Sequence, residues 1–215
     1  PIKRVIISHF HADHYYGLQV FKALGAESWA HKNGQGAVDS EAAAQRLAQR
    51  RETLFPWVDE NTRLLRDDRW LCGDTDFEMC GVHCMLRFVG PADSAEDMAM
   101  MVQEGGVLYA GDLVFRGRVP FVGDADSKAW LAALDKLIAL KPRVMVGGHG
   151  AASIKPQADL KFTSDYLKYL RKSMGQAVAD LVPFDEAYAN TDWSKYAKLP
   201  AFEQANRPNA YNTYL

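Results

Sequence analysis

The run Ser8-His9-Phe10-His11-Ala12-Asp13-His14 constrains this chain more than any other stretch. It places three histidines and an aspartate within six positions, at the spacing His-x-His-x-Asp-His. A short apolar run, Val5-Ile6-Ile7, leads into it, and Tyr15-Tyr16-Gly17 follows. Alternate residues of an extended chain project to one face, so His9 and His11 can grip a single metal together. Asp13 and His14, set where the chain turns away, can aim at a second position nearby. Imidazole nitrogens and carboxylates are the ligand set that zinc and similar divalent metals accept. A plain surface cluster of polar residues after a strand is the competing reading, and so dense a group of ligand types disfavours it.

Three later stretches carry residues of the same kind: Gly90-Pro91-Ala92-Asp93-Ser94, Tyr109-Ala110-Gly111-Asp112-Leu113-Val114-Phe115 and Val146-Gly147-Gly148-His149-Gly150. Together with the first motif, and in this order, they resemble the signature of the metallo-β-lactamase-fold hydrolases over roughly residues 1 to 150. Within that family, the run from Gly111 through Arg118-Val119-Pro120 and the C-terminal region resemble the SoxH-like, quinoprotein-relay branch most. The resemblance implies an α/β fold, the αββα sandwich, with function at the strand ends. It implies one metal held by His9, His11 and Asp93, and a second held by Asp13, His14 and His149, with Asp112 bridging them. Two such ions lie roughly 3.5–4 Å apart and share a water whose pKa they lower toward ~7. Zn2+ is the expected ion, in one or two positions, with iron or manganese as the alternatives. Asp13 is the expected catalytic residue, ligating metal and orienting the nucleophile or moving its proton.

One position departs from the family's pattern. Where a histidine usually follows Gly-Pro-Ala, this chain has Asp93. A carboxylate ligates zinc, and two histidines with one carboxylate form a known catalytic set. Aspartate is shorter than histidine and adds negative charge, so the first position is expected to be weakly held, altered in metal preference or empty. Asp93 capping the segment that follows it is the competing reading.

The remaining histidines, His31 and His83, are expected to have ordinary structural roles, and His149 between glycines to ligate rather than pack. Tyr15, Tyr16, Trp57 and Phe115 are candidates for a pocket wall, although aromatic residues more often fill cores. Cys72, Cys80 and Cys84 are an odd count without a Cys-x-x-Cys pair, so neither a disulfide framework nor a zinc ribbon is expected, and the compartment stays open. With 215 residues, 48% of them hydrophobic, the chain can bury one sizeable core. A net charge of -2 gives no basic stripe for nucleic acid. No apolar run reaches the ~20 residues that span a bilayer. The expected partner is a small-molecule substrate, in a single domain over residues 1–215 with a helical part over 157–215.

Local patterns give the elements. Residues 2–7 read as a strand delivering the motif, and 18–24 as a helix stopped by Gly25. Residues 27–30 make a short strand. Asp39 or Ser40 caps a helix over 42–54 whose run Gln49-Arg50-Arg51-Glu52 reads as a solvated face. The excursion from His31 to about Arg69 is expected to flank the site as a lid or rim. Val82, Cys84, Leu86 and Phe88 alternate with His83, Met85 and Arg87, a half-buried strand. Strands around 98–102 and 107–110 flank a Glu104-Gly105-Gly106 turn. Trp130, Leu134, Leu137 and Ile138 share one helical face, and Arg143 to Val146 is a strand delivering His149. Leu160, Leu167, Met174 and Leu181 recur every seven residues and imply one amphipathic helix. In the family, strands precede the first motif; here it begins within nine residues, so the expectation is a longer parent protein or a sandwich without those strands.

The leading functional expectation is a zinc-dependent hydrolase of an ester, thioester, amide or lactam. A mononuclear iron dioxygenase of the same fold, acting on persulfides, and a catalytically degenerate metal-binding relative are the alternatives.

Overall fold

The computed structural model describes residues 1–123 and 125–215. β1 (Arg4–Ile6), β2 (Glu27–His31) and β3 (Arg69–Leu71) form a parallel sheet in the order β1-β2-β3. Parallel neighbours need crossover connections. The first crossover contains α1 (Ala12–Tyr15) and α2 (Leu18–Ala23), and the second contains α3 (Gln35–Val38) and α4 (Glu41–Thr53). Gly25, at φ 78, turns the chain out of α2, as its position predicts. Ser40 caps α4: its hydroxyl accepts a hydrogen bond from the Ala43 amide at 3.1 Å. Leu47 is the one α4 residue that is buried, so this helix lies on the surface.

β4 (Thr75–Met79), β5 (Val82–Phe88), β6 (Met98–Val102), β7 (Val107–Phe115) and β8 (Val144–His149) form the second sheet in that order. Its pairs are antiparallel except β7 with β8, which are parallel and joined through α5 (Ser127–Ala139). The sheets meet where Trp29 and Leu71 pack with Leu86 and Met98. The opposite face of the first sheet packs Ala30 against Tyr15, Leu18 and Val38 of the helical connections. Period-two alternation makes this division: Val5 faces the helices and Ile6 the other sheet. Behind the second sheet, Leu108, Leu113 and Met145 pack on Trp130, Leu134 and Leu137 of α5 and on Leu160, Leu167 and Leu170 of α6 (Pro156–Ala179). The layers are therefore helix, sheet, sheet, helix, the sandwich that the motifs imply.

Leu181 departs from the seven-residue repeat. Its amide bonds Val178 O at 3.1 Å, the Val182 amide bonds Ala177 O at 2.9 Å, and Leu181 itself adopts φ 55. This is a Schellman termination, which ends α6 and leaves Leu181 88% exposed. Beyond it lie α7 (Phe184–Asn190), a π-helical turn over Phe202–Asn206 and α8 (Arg207–Tyr214). Asn209 in α8 is fully buried; its side chain accepts from the Val122 amide at 2.8 Å and donates to Pro120 O at 2.7 Å and to the Tyr166 hydroxyl at 2.9 Å. That polar cluster fastens the strand-like loop over 119–123 to the C-terminal helices. Among the described residues, no helix is long and apolar enough to cross a membrane.

Candidate metal centre

The functional side chains gather at one end of the sandwich, on loops and strand ends from both sheets. β1 stops at Ile6, one residue short of the expected strand, and residues 7–11 continue as an extended loop rather than as a strand. His9 and His11 therefore project from a loop, with their rings edge to face at 4.6 Å. The loop is held in place: the Met98 amide donates to Ser8 O at 2.9 Å, the Phe10 amide donates to Glu96 Oε1 at 3.1 Å, and Ser8 Oγ lies 3.1 Å from His9 Nδ1. Asp13 and His14 occupy the single turn of α1, with the His14 ring 4.3 Å from that of His9. Asp93 follows β5, Asp112 lies within β7, and His149 ends β8.

Backbone geometry makes room for Asp112. The β7–β8 register shifts between Tyr109 and Gly111 and again between Gly111 and Phe115, and Gly111 has φ 54. Such an irregularity re-aims side chains at a strand end. Gly148 permits the closest approach: a Cβ there would lie 1.8 Å from Asp112 Oδ1.

The side chains form two groups that share Asp112: His9, His11, Asp93 and Asp112; and Asp13, His14, Asp112 and His149. Within each, one ligand atom from every residue lies within 4.8 Å of the others. In the first group, Asp93 Oδ2 is 3.2 Å from His11 Nδ1 and 3.7 Å from His9 Nε2. In the second, His14 Nε2 is 3.1 Å from Asp112 Oδ1 and 3.2 Å from Asp13 Oδ2, while His149 Nε2 is 3.2 Å from Asp13 Oδ2. His149 also stacks on Phe115 at 4.9 Å. Four of these ligand atoms are buried without a hydrogen-bond partner: His9 Nε2, His14 Nε2, Asp93 Oδ2 and Asp112 Oδ1. Buried polar atoms left unpaired cost free energy, and a divalent cation in each group would satisfy all four. The donor set fits such ions.

Local electrostatics divide the ligands: without an ion, His9 is held neutral while His14 is held protonated, so metal binding must displace the His14 proton. Burial, with His11 and His14 nearby, lowers the His9 pKa to about 3, which keeps its imidazole neutral as a ligand must be. Burial works against charging His14, but the Asp112 and Asp13 carboxylates outweigh it and raise that pKa to about 10. Contact with His14 holds Asp13 below the ordinary carboxylate range. Burial pushes the Asp93 carboxyl up despite His11 beside it.

Asp93 does not cap the segment after it. Asp97 fills that role, with Oδ2 accepting from the Ser94 amide at 2.7 Å and Oδ1 from its hydroxyl at 2.9 Å. The spacing Ser94-x-x-Asp97 was the sequence signal for this support, and Glu96 had none. His31 and His83 lie outside both groups. His31 is buried, stacked on Phe88 at 3.8 Å, and His83 lies 2.7 Å from Glu104 at the far end of β5. Tyr15 is a core residue at 3% exposure that also lines a small pocket beside His11, not the large cleft. Tyr16, Trp57 and Phe115 do line a cleft of about 1110 Å³ that reaches the ligand cluster. Leu54, Trp57 and Val58 bring the 31–69 excursion to its rim. Its arginines, Arg46, Arg50 and Arg118, were not apparent from sequence.

An αββα sandwich with paired His/Asp clusters at its strand ends defines a class of metal-site proteins. The chain belongs to the metallo-beta-lactamase superfamily, whose family model matches residues 1–149. Comparison with curated proteins finds no match. Among solved structures, a metallo-beta-lactamase from Pontibacter korlensis is 23% identical at TM-score 0.58, over 78% of this chain and 70% of that one. A metallo-beta-lactamase family protein from Thermus thermophilus is 21% identical at TM-score 0.64, over 80% and 62%. An archaeal metallo-beta-lactamase superfamily protein from Sulfolobus tokodaii is 20% identical at TM-score 0.59, over 78% and 67%. The chain thus spans about two thirds of the length of these structures. At these identities the likeness is one of fold.

Proposed function

We propose that this protein is a metal-dependent hydrolase that uses Zn2+, in one or two positions, to cleave a small-molecule ester, thioester, amide or lactam. The observation that carries this reading is the convergence of two ligand groups on one shared carboxylate at the floor of an open cleft. His9, His11 and Asp93 would hold one ion and Asp13, His14 and His149 the other, with Asp112 between them. Bound there, the ions supply Lewis acidity and a water acidified toward neutral pH. Asp13, its side chain 56% exposed and facing the cleft, is placed to orient that water and take its proton. The proton is then available to the departing alcohol, thiol or amine as the acyl bond breaks. Phe115 fixes the His149 ring by stacking, and Tyr16 and Trp57 give the substrate apolar surface.

The proposal takes residues 1–215 as one domain, with 157–215 as its helical part, and a small molecule rather than nucleic acid as the partner, in keeping with the net charge of -2. The SoxH-like, quinoprotein-relay branch is its narrower form, resting on the run from Gly111 to Pro120 and the C-terminal region. A second reading, the iron dioxygenase, is favoured by one observation: His9, His11 and Asp93 are two histidines and a carboxylate, the set typical of mononuclear non-haem iron. Metal quantification with a panel of thioester, ester and chromogenic lactam substrates tests both. Zinc with chelator-sensitive hydrolysis is the expected result. Iron with oxygen consumption would establish the second reading instead, and a metal-loaded protein inert in every assay would overturn both.

A further inference from the structure

Three arginines line the cleft, Arg46 and Arg50 from α4 and Arg118 from the loop after β7. Of the other arginines, Arg4, Arg66, Arg87, Arg116 and Arg207 carry carboxylate partners, Arg63, Arg143 and Arg171 donate to backbone or hydroxyl oxygens, and Arg69 lies over the Trp29 ring. Among the described residues, no carboxylate lies within 4.0 Å of Arg46, Arg50 or Arg118. Arg50 Nε is buried without any hydrogen-bond partner. Arg46 and Arg50 stand one helical turn apart, where like charges repel and slightly destabilise a helix. Arg51, by contrast, is spent on structure, donating to Asp59 O at 2.9 Å and Thr62 O at 2.7 Å.

Charge balance sharpens the point. Among the described residues, the carboxylates lining the cleft are Asp13, Asp93 and Asp112, equal in number to the arginines. All three belong to the ligand groups, so divalent ions there leave the guanidiniums uncompensated. The same cleft carries apolar surface, with Val20 57%, Trp57 86% and Phe121 51% exposed.

We infer that the cleft selects a substrate with an apolar body and an anionic end, carboxylate or phosphate, distinct from the bond that is cleaved. Arg46 and Arg50 are its specificity-determining residues. The inference rests on the hydrolase reading and names that site's substrate class. Guanidinium recognises both anions through paired N–H donors, and a lysine cannot reproduce that geometry.

Three matched aryl thioesters of one straight-chain acid, ending in methyl, carboxylate or phosphate, test it on zinc-incubated protein. The wild type is expected to favour an anionic ending by about tenfold or more in kcat/KM, with the better arm identifying the anion. The preference should shrink with added salt and fall toward unity in R46Q/R50Q, with partial recovery in R46K/R50K. Equal rates on all three endings, or a preference that survives R46Q/R50Q, would overturn the inference. Octyl phosphate and octanoate binding, followed by calorimetry, reads the same arginines without turnover. Binding about tenfold weaker in R46Q/R50Q supports the anion site even if no thioester is cleaved. Unchanged binding defeats it, whereas absent cleavage alone defeats only the hydrolase reading.

Discussion

His9, His11 and Asp93 on one side, and Asp13, His14 and His149 on the other, each bring two imidazoles and a carboxylate to Asp112. They differ in their carboxylates and in one imidazole. The side chains of His9 and Asp93 are 0% and 2% exposed and that of His11 39%, whereas those of Asp13, His149 and His14 are 56%, 32% and 15% exposed. The first group is braced by the Ser8 and Glu96 contacts and by the Asp97 turn; the second is held by one short helix and a stacked aromatic ring. Equal donor sets thus have unequal reach and solvent access. Burial strengthens attraction to a cation but raises the cost of desolvating Asp93.

Removing the shared residue would break the comparison outright. Asp112→Asn is expected to weaken both positions together, on the order of a hundredfold or more, and to lower hydrolysis at least as far. Chelator competition against the purified protein measures this; two tightly held equivalents in the variant would show that the groups do not depend on Asp112.

Gly148→Ala tests the backbone that admits Asp112. Because β8 is paired to β7, the new methyl group cannot simply move aside, and Asp112 Oδ1 must. Metal affinity should fall roughly tenfold to a hundredfold. Stability of the metal-free protein should drop by about 1–3 kcal/mol, read by denaturant unfolding. A variant with unaltered metal affinity would mean that Asp112 need not sit where it does.

Asp93→His sharpens the contrast between halves. The longer, uncharged ligand is expected to tighten the first position by about tenfold and to raise the zinc content where the wild type holds a single tight equivalent. Two tight equivalents in both proteins would sink the idea that Asp93 makes the first position weaker.

Much of this was legible from residue order because the informative signals are local. The motif His9 to His14, the glycines around Asp112 and His149, the Ser40 cap and the alternation along Val82 to Phe88 each depend on neighbours in sequence. What stayed hidden depends on packing. Arg50 sits in the run Gln49 to Glu52 that reads as a solvated face, with Arg46 one turn before it, and only the placement of α4 turns both toward the cleft. Tyr15 and Tyr16 are adjacent, yet one enters the core and the other the cleft, a division set by the α1 turn. Leu181 kept the seven-residue period without the helix, since a left-handed residue can end a helix where no glycine announces it. Asn209 holds a loop almost ninety positions earlier, and no local pattern reports that contact.

The single carboxylate between the two groups has a thermodynamic consequence. Whatever one ion does to Asp112, by drawing its oxygens or fixing its rotamer, changes the free energy with which a second ion binds. Linkage makes that change reciprocal: the factor by which the first alters the second equals the factor by which the second alters the first. A metal-binding isotherm for this protein should therefore be fitted with a coupling constant, since two independent dissociation constants cannot describe a centre whose halves own one residue in common.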